Sequence, residues 1–196
     1  MARPAVFLDR DGTMIEDVGY LSREADVHWF PFTVEAIRLL NRAGFLVCVT
    51  TNQSGVARGY YDEDAVRALH AHMSGYLSGG AATVDAWLHC PHHPNADVPV
   101  YRVECDCRKP EPGMIRQACE RFDIDLSRSF VVGDKLADLG SAARVGARGV
   151  LVRTGYGDDV VRAHADGVPD AAYVADDLMA AVSWVLLESG HPHDPS

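Results

Sequence analysis

One pattern recurs along the chain: a short apolar run, a polar turn, then a stretch with helical spacing. The runs AVFL (5–8), FLVCVT (45–50), VDAWLH (84–89), SFVVG (129–133) and GVLVR (149–153) are rich in branched and aromatic residues, and their length suits buried strands. Between them, residues 33–43 open at a Thr33 cap, carry Val34, Ile37 and Leu40 at helical spacing, and stop at Gly44. Residues 62–77 begin with Asp62, Glu63 and Asp64, which suit the positive end of a helix, and repeat Ala65, Leu69 and Met73 along one stripe. Further helices fit 112–122, 136–146 and 176–188. Strands alternating with helices predict a three-layer α/β/α fold with a central parallel sheet, Rossmann-like in kind.

Such a sheet needs a core, and 196 residues of which 47% are hydrophobic supply one of single-domain size. One domain over 1–189 is expected, with GHPHDPS (190–196) as a frayed tail. No run of about 18 uncharged apolar residues occurs, and DRDGT is reached without a basic start and apolar segment, so the cytoplasm is the expected location. A formal charge of -10 argues against nucleic acid or an anionic membrane as partner. A small anionic substrate would have to meet a local group of cations, and a monomer is the default state.

In a parallel sheet the ligand site lies beyond the carboxyl ends of the strands. Asp9 and Asp11 follow the first run, Thr51, Asn52, Gln53 and Ser54 the second, and Asp134 the fourth, while Lys109 precedes the helix leading into that fourth strand. Crowded carboxylates repel one another, and a hard cation such as Mg²⁺ relieves the repulsion. Asp9 can then stay ionised as a nucleophile, Lys109 and the Thr51 hydroxyl can hold phosphate oxygens, and Asp11 can protonate a leaving group. That chemistry is phosphoryl transfer through an aspartyl phosphate. A single DxD occurs in many ordinary turns; a TNQSG, an RKP and a GDKLAD in order at successive strand ends do not arise so easily.

The segments VFLDRDGT, VTTNQSG, CRKPEPGM and VVGDKLAD resemble the four signature motifs of the haloacid dehalogenase superfamily, over about Val6 to Thr154. Within it, TNQSGVARGYY, HCPHHP, CDCRKPEPGM and LVRTG resemble the bacterial D-glycero-D-manno-heptose 1,7-bisphosphate 7-phosphatases. The histidinol-phosphate phosphatase domain is the nearest alternative, but its second motif reads TNQDG where this chain has Ser54. The resemblance implies a haloacid dehalogenase-like fold with Asp9 as nucleophile and Asp11 as acid/base. It implies Mg²⁺ on Asp9, Asp134 and the Asp11 carbonyl, with Lys135 beside the metal shell. It further implies Thr51 and Lys109 on the phosphoryl group, Arg108 on the rest of the substrate, and a substrate loop at Asp17, Val18, Gly19 and Tyr20. Asp138 is expected to bond backbone near the site. The short intervals between motifs leave no room for a large cap domain.

A second constellation lies in CPHHPNADVPVYRVECDC (90–107). Cys90, His92, Cys105 and Cys107 offer three sulfurs and one nitrogen, a set suited to tetrahedral Zn²⁺ with no open position for water. His93 could replace His92; the family pattern selects His92. Fixing Cys107 fixes the chain that continues into Arg108 and Lys109, so a zinc-binding loop here would organise substrate recognition. Arg58 is close enough to TNQSG to reach a distal phosphate, although a helix-capping role is the more ordinary one. Cys48 and Cys119 read as small buried hydrophobes.

Overall fold

The first apolar run forms strand β1 (Ala5–Leu8), and every residue in it is buried. A strand buried on both faces belongs at the centre of a sheet covered by helices on each side. In the computed structural model, which describes residues 2–190, β1 lies between β2 (Leu46–Asn52) and β4 (Phe130–Gly133). The strands β3 (Ala86–Cys90), β5 (Arg148–Val152) and β6 (Ala171–Ala175) complete a six-stranded parallel sheet of order β3-β2-β1-β4-β5-β6. The order reverses between β1 and β4, which opens a crevice at their carboxyl ends.

Alternation along the strands divides the core. Val6, Leu8, Val47, Val49 and Val132 face one side, against α1 (Thr33–Arg42), α3 (Glu63–Gly79) and α7 (Leu178–Glu188). Ala5, Phe7, Cys48 and Val131 face the other, against α4 (Gly113–Arg121) and α5 (Leu136–Ala143). A short α2 (Ser54–Ala57) follows β2, and α6 (Gly157–Ala163) follows β5.

The structure corrects details of the sequence reading. Thr33 is the first helical residue and Phe32 the cap; the Thr33 hydroxyl instead donates to the Met14 carbonyl at 2.6 Å. Asp62 does cap α3, accepting the Ala65 N–H. The buried stripe of α3 runs through Val66, Leu69, His70, Met73 and Leu77, with Ala65 at its margin. Gly44, just past α1, takes φ +82°, the left-handed conformation that ends helices. Both α6 and β6 are additions. From 191 onward the expected tail lies outside the described residues. Among those described, no helix is long and apolar enough to cross a membrane.

Candidate active site

The crevice between β1 and β4 is closed at its base by backbone. The Asp9 N–H donates to the Val132 carbonyl at 2.9 Å, carrying the pairing past the end of β1. Gly12 then turns at φ +83°, where a side chain would be strained and its Cβ would run into Asp134 Oδ2. The Thr154 hydroxyl holds the Gly12 carbonyl at 2.6 Å. The turn is also bridged, Ile15 N–H to the Arg10 carbonyl and Gly12 N–H to the Ile15 carbonyl, and this bridge makes no use of the Asp11 carbonyl.

Lys109 stands at the centre. Its buried Nζ donates to Asp9 Oδ1 (2.8 Å), Asp138 Oδ1 (2.6 Å) and the Thr50 carbonyl (2.6 Å), which uses all three of its donors. Burial opposes the charge, but Asp138 and Asp9 outweigh it, so the lysine titrates above its ordinary range. The Lys109 backbone is clamped as well, its N–H to Asn52 Oδ1 (3.0 Å) and its carbonyl to Asn52 Nδ2 (3.2 Å).

Asp134 Oδ2 accepts the Tyr156 N–H at 2.8 Å. Its Oδ1 is buried and accepts no hydrogen bond, with the Lys135 ammonium 3.5 Å away in an ion pair. Burial, then the neighbouring Asp9, pushes the Asp134 carboxyl up to about 7. Asp138 uses Oδ2 on the Lys135 N–H (3.1 Å) and Oδ1 on Lys109, the backbone-bonding role expected of it. One oxygen from each of Asp9, Asp134 and Asp138 falls within 4.8 Å of the others. An orphaned, buried carboxylate oxygen beside further carboxylates fits a hard divalent cation of the Mg²⁺ type. Because both Asp138 oxygens are engaged, Asp9 and Asp134 are the available side-chain ligands.

Asp11 is gripped by its neighbour. Arg10 Nη2 donates to Oδ1 (3.0 Å) and Oδ2 (2.9 Å), Arg10 Nε to Oδ1 (3.2 Å), and Gln53 Nε2 to Oδ2 (3.0 Å). Burial still raises the Asp11 carboxyl above its ordinary value, with Asp9 reinforcing it and Arg10 opposing. Gln53 also donates to Thr51 Oγ1 (2.8 Å) and accepts from the Tyr61 hydroxyl (3.0 Å).

Asp9, Asp11, Thr51, Gln53, Tyr61, Lys109 and Asp138 border a cavity of about 330 Å³, which Asp17, Gly19, Tyr20, Asn52, Ser54 and Lys135 also line. Lys135 Nζ lies 3.3 Å from Asp17 and over the Tyr156 ring; Asp134, Asp9 and Asp17 outweigh its burial and raise it. Three expected residues stand elsewhere. Val18 is exposed, and Arg58 faces Asp97 at 4.0 Å. Arg108 donates to the His92 carbonyl (3.1 Å) and lines a neighbouring cavity of about 530 Å³ that meets the first at Lys109. Arg10, Tyr61 and Tyr156 are members that the sequence reading passed over. The arginine between the two DRDGT aspartates was the available signal.

The thiol cluster closes on itself beside this second cavity. Cys107 Sγ lies 3.0 Å from Cys90 and 3.4 Å from Cys105, and His92 Nδ1 is 3.3 Å from Cys107. The three cysteines are free thiols, and donors on a tetrahedron with bonds of about 2.3 Å sit at comparable separations. The hydrogen bond shared with Cys90 draws the Cys107 thiol down to about 5, against the effect of burial. His93 is outside the cluster, its Nδ1 accepting the Asn95 N–H (3.0 Å).

A family model described as HAD-hydrolase-like matches residues 106–181. The D-glycero-D-manno-heptose-1,7-bisphosphate 7-phosphatase of Thermosynechococcus vestitus is 43% identical over 94% of this chain and 96% of its own length. The D-glycero-beta-D-manno-heptose-1,7-bisphosphate 7-phosphatase of Pseudomonas aeruginosa is 40% identical over 95% and 99%. The D,D-heptose 1,7-bisphosphate phosphatase from B. bronchiseptica, solved with magnesium and phosphate, superimposes with a TM-score of 0.82 at 36% identity, covering 94% of this chain and 99% of that one.

Proposed function

The chain belongs to the D-glycero-D-manno-heptose-1,7-bisphosphate 7-phosphatase family of haloacid dehalogenase-like hydrolases, and from that premise we propose that it removes the 7-phosphate of D-glycero-D-manno-heptose 1,7-bisphosphate in a Mg²⁺-dependent reaction. The observation that carries the reading is the buried Asp134 Oδ1, which accepts no hydrogen bond, set among the Asp9 and Asp138 carboxylates, with a charged lysine on the same group. When bound on Asp9, Asp134 and the Asp11 carbonyl, Mg²⁺ would neutralise the carboxylates and draw charge from the phosphoryl oxygens.

Asp9, with Oδ1 held by Lys109, offers its other oxygen to phosphorus. The new oxygen–phosphorus bond forms as the ester bond breaks, and the leaving oxygen takes the proton of Asp11. Water then attacks the aspartyl phosphate, returns a proton to Asp11, and releases inorganic phosphate with Asp9 restored. The Thr51 hydroxyl holds a phosphoryl oxygen in transit, and Lys109, its three donors taken by Asp9, Asp138 and the Thr50 carbonyl, stabilises the phosphoryl group through its charge. Asp17, Gly19 and Tyr20, with Asn52, Gln53 and Ser54, form the wall that receives the sugar, and Lys135 sits at the metal shell. Arg108, on the adjoining cavity, meets the far end of the substrate.

Cys90, His92, Cys105 and Cys107 are assigned to a structural Zn²⁺ that sets the path of the chain into Arg108 and Lys109. The working form is a cytoplasmic monomer acting on a small phosphorylated sugar. The test is phosphate release with Mg²⁺, comparing kcat/KM for the α and β anomers of the heptose bisphosphate and for histidinol phosphate. Preference for either heptose anomer is the expected result, and preference for histidinol phosphate overturns the assignment.

A further inference from the structure

The grip on Asp11 is itself held from behind. Arg10 is wholly buried, at 0% exposure, and a guanidinium donates but never accepts. Two of its nitrogens are turned to Asp11; the third, Nη1, lies 3.3 Å from His70 Nε2. Because the arginine must be the donor in that contact, Nε2 carries the lone pair, and the neutral His70 ring keeps its proton on Nδ1. The surroundings favour that state. The ring stacks on Trp87 (4.8 Å) and meets the edge of His89 (5.9 Å), and burial followed by the Arg10 charge lowers its pKa to about 3.

His70 comes from α3, sixty positions from Arg10, and its neighbours continue the polar chain outward. His89 Nε2 is 3.2 Å from Glu63 Oε2, and Glu63 Oε1 accepts the hydroxyl of Tyr101, in the loop between the thiols, at 3.1 Å. The contacts on His70 thus come from three sides, Arg10, Trp87 and His89, and hold Nε2 toward Arg10.

We propose that His70 is a positioning residue for the acid/base step: by accepting from Arg10 Nη1 it sets the plane of the guanidinium fork, and the fork places the Asp11 carboxyl for proton delivery to the leaving oxygen. The inference rests on the role of Asp11 proposed above. A sugar alkoxide is a poor leaving group and needs that proton as the phosphorus–oxygen electron pair departs with it. A nitrophenolate leaves without it.

The test is the ratio of kcat/KM for 4-nitrophenyl phosphate to kcat/KM for the heptose bisphosphate, at a temperature where each variant is folded by circular dichroism. His70→Leu removes the acceptor and keeps the bulk; should it fail to fold, His70→Asn, whose amide stops short of Nη1, takes its place. His70→Gln retains an acceptor near the position of Nε2. The ratio should rise roughly tenfold or more in His70→Leu, return to within about threefold of wild type in His70→Gln, and rise further, about a hundredfold, in Asp11→Asn. An unchanged ratio in His70→Leu, or a His70→Gln variant that behaves like it, overturns the proposal. An unchanged ratio in Asp11→Asn shows that Asp11 is not the acid, which removes the premise and is distinguishable from failure at His70.

Discussion

The carboxylate site collects its residues from the whole chain, whereas the thiol cluster collects its own from a single loop. Lys109 and Asp9 are 100 positions apart and meet because β1, β2 and β4 are paired; Cys90 and Cys107 are 17 apart and meet because the loop folds back. The first arrangement inherits rigidity from the sheet and carries its own counterions, Lys109 and Arg10, so part of its charge is balanced before any metal arrives. The loop has only a short 3-10 turn at Pro99–Tyr101 and no cation within the cluster to hold the sulfurs together. The Zn²⁺ proposed for it would therefore contribute more to its order than Mg²⁺ would to that of the catalytic edge.

Replacing Asp9 by Asn is the severest way to test that difference. Steady-state phosphate release should fall by at least about 10⁴-fold, since the nucleophile is lost. The thermal midpoint should move by only about a few degrees, because Lys109 keeps Asp138 and the Thr50 carbonyl as partners. A large loss of stability would mean that the Asp9–Lys109 pair, and not the sheet, assembles the edge.

Cys107→Ser attacks the other region. The expected loss in kcat/KM is roughly a hundredfold and falls mainly on KM, with limited proteolysis reporting new cleavage between 90 and 107. The Mg²⁺ concentration for half-maximal activity should stay within about twofold of wild type. If magnesium affinity fell in parallel with kcat/KM, the two regions would be one unit and the contrast would be wrong.

The same contrast explains what could be read from the sequence. The clustering of Cys90, His92, Cys105 and Cys107 was legible because Cys-x-His and Cys-x-Cys occupy one short stretch, while the choice of His92 over His93 came from the family resemblance. Five strands were legible because each is an apolar run rich in branched or aromatic residues; β6 was not, since AAYVA is mostly alanine and only its last residue is buried. The catalytic edge was legible only as motifs in order. Nothing in DRDGT announces that Arg10 folds back on Asp11, because that depends on a histidine sixty residues away and on the turn at Gly12. Arg108 and Lys109 are adjacent in sequence, yet only Lys109 reaches the first cavity as well as the second.

His70 lies on the route between the two regions and supplies a smaller, pH-dependent effect. Its pKa is lowered to about 3 in the fold, against about 6.5 in an unfolded chain. Above pH 6.5 both states hold it neutral and its contribution is complete; below, the unfolded chain takes up a proton that the folded one refuses. Stability therefore falls as the solution is acidified from pH 6.5 toward 3. By pH 5 the loss relative to His70→Gln should be about 2 kcal/mol, read from urea unfolding of both proteins at pH 7 and pH 5. The lowered pKa of His89 is common to both and cancels in the difference. Parallel pH dependences would show that His70 titrates normally and cannot be the fixed acceptor behind Arg10.

Asn52→Ala is the finest cut, because it acts at the joint itself. Asn52 ends β2, and its amide closes two hydrogen bonds on the backbone of Lys109, the residue where the chain leaving the thiol loop enters the catalytic edge. Losing them should cost about 1 kcal/mol, or roughly fivefold in kcat/KM, since the lysine Nζ keeps its three acceptors. A loss as large as that of Cys107→Ser would mean that β2, through Asn52, aims the lysine and that the zinc loop merely follows. No loss at all would mean that the ammonium contacts alone fix the lysine, leaving the loop free to move without consequence for catalysis. An effect between those limits is what a joint shared by a rigid sheet and the thiol loop requires.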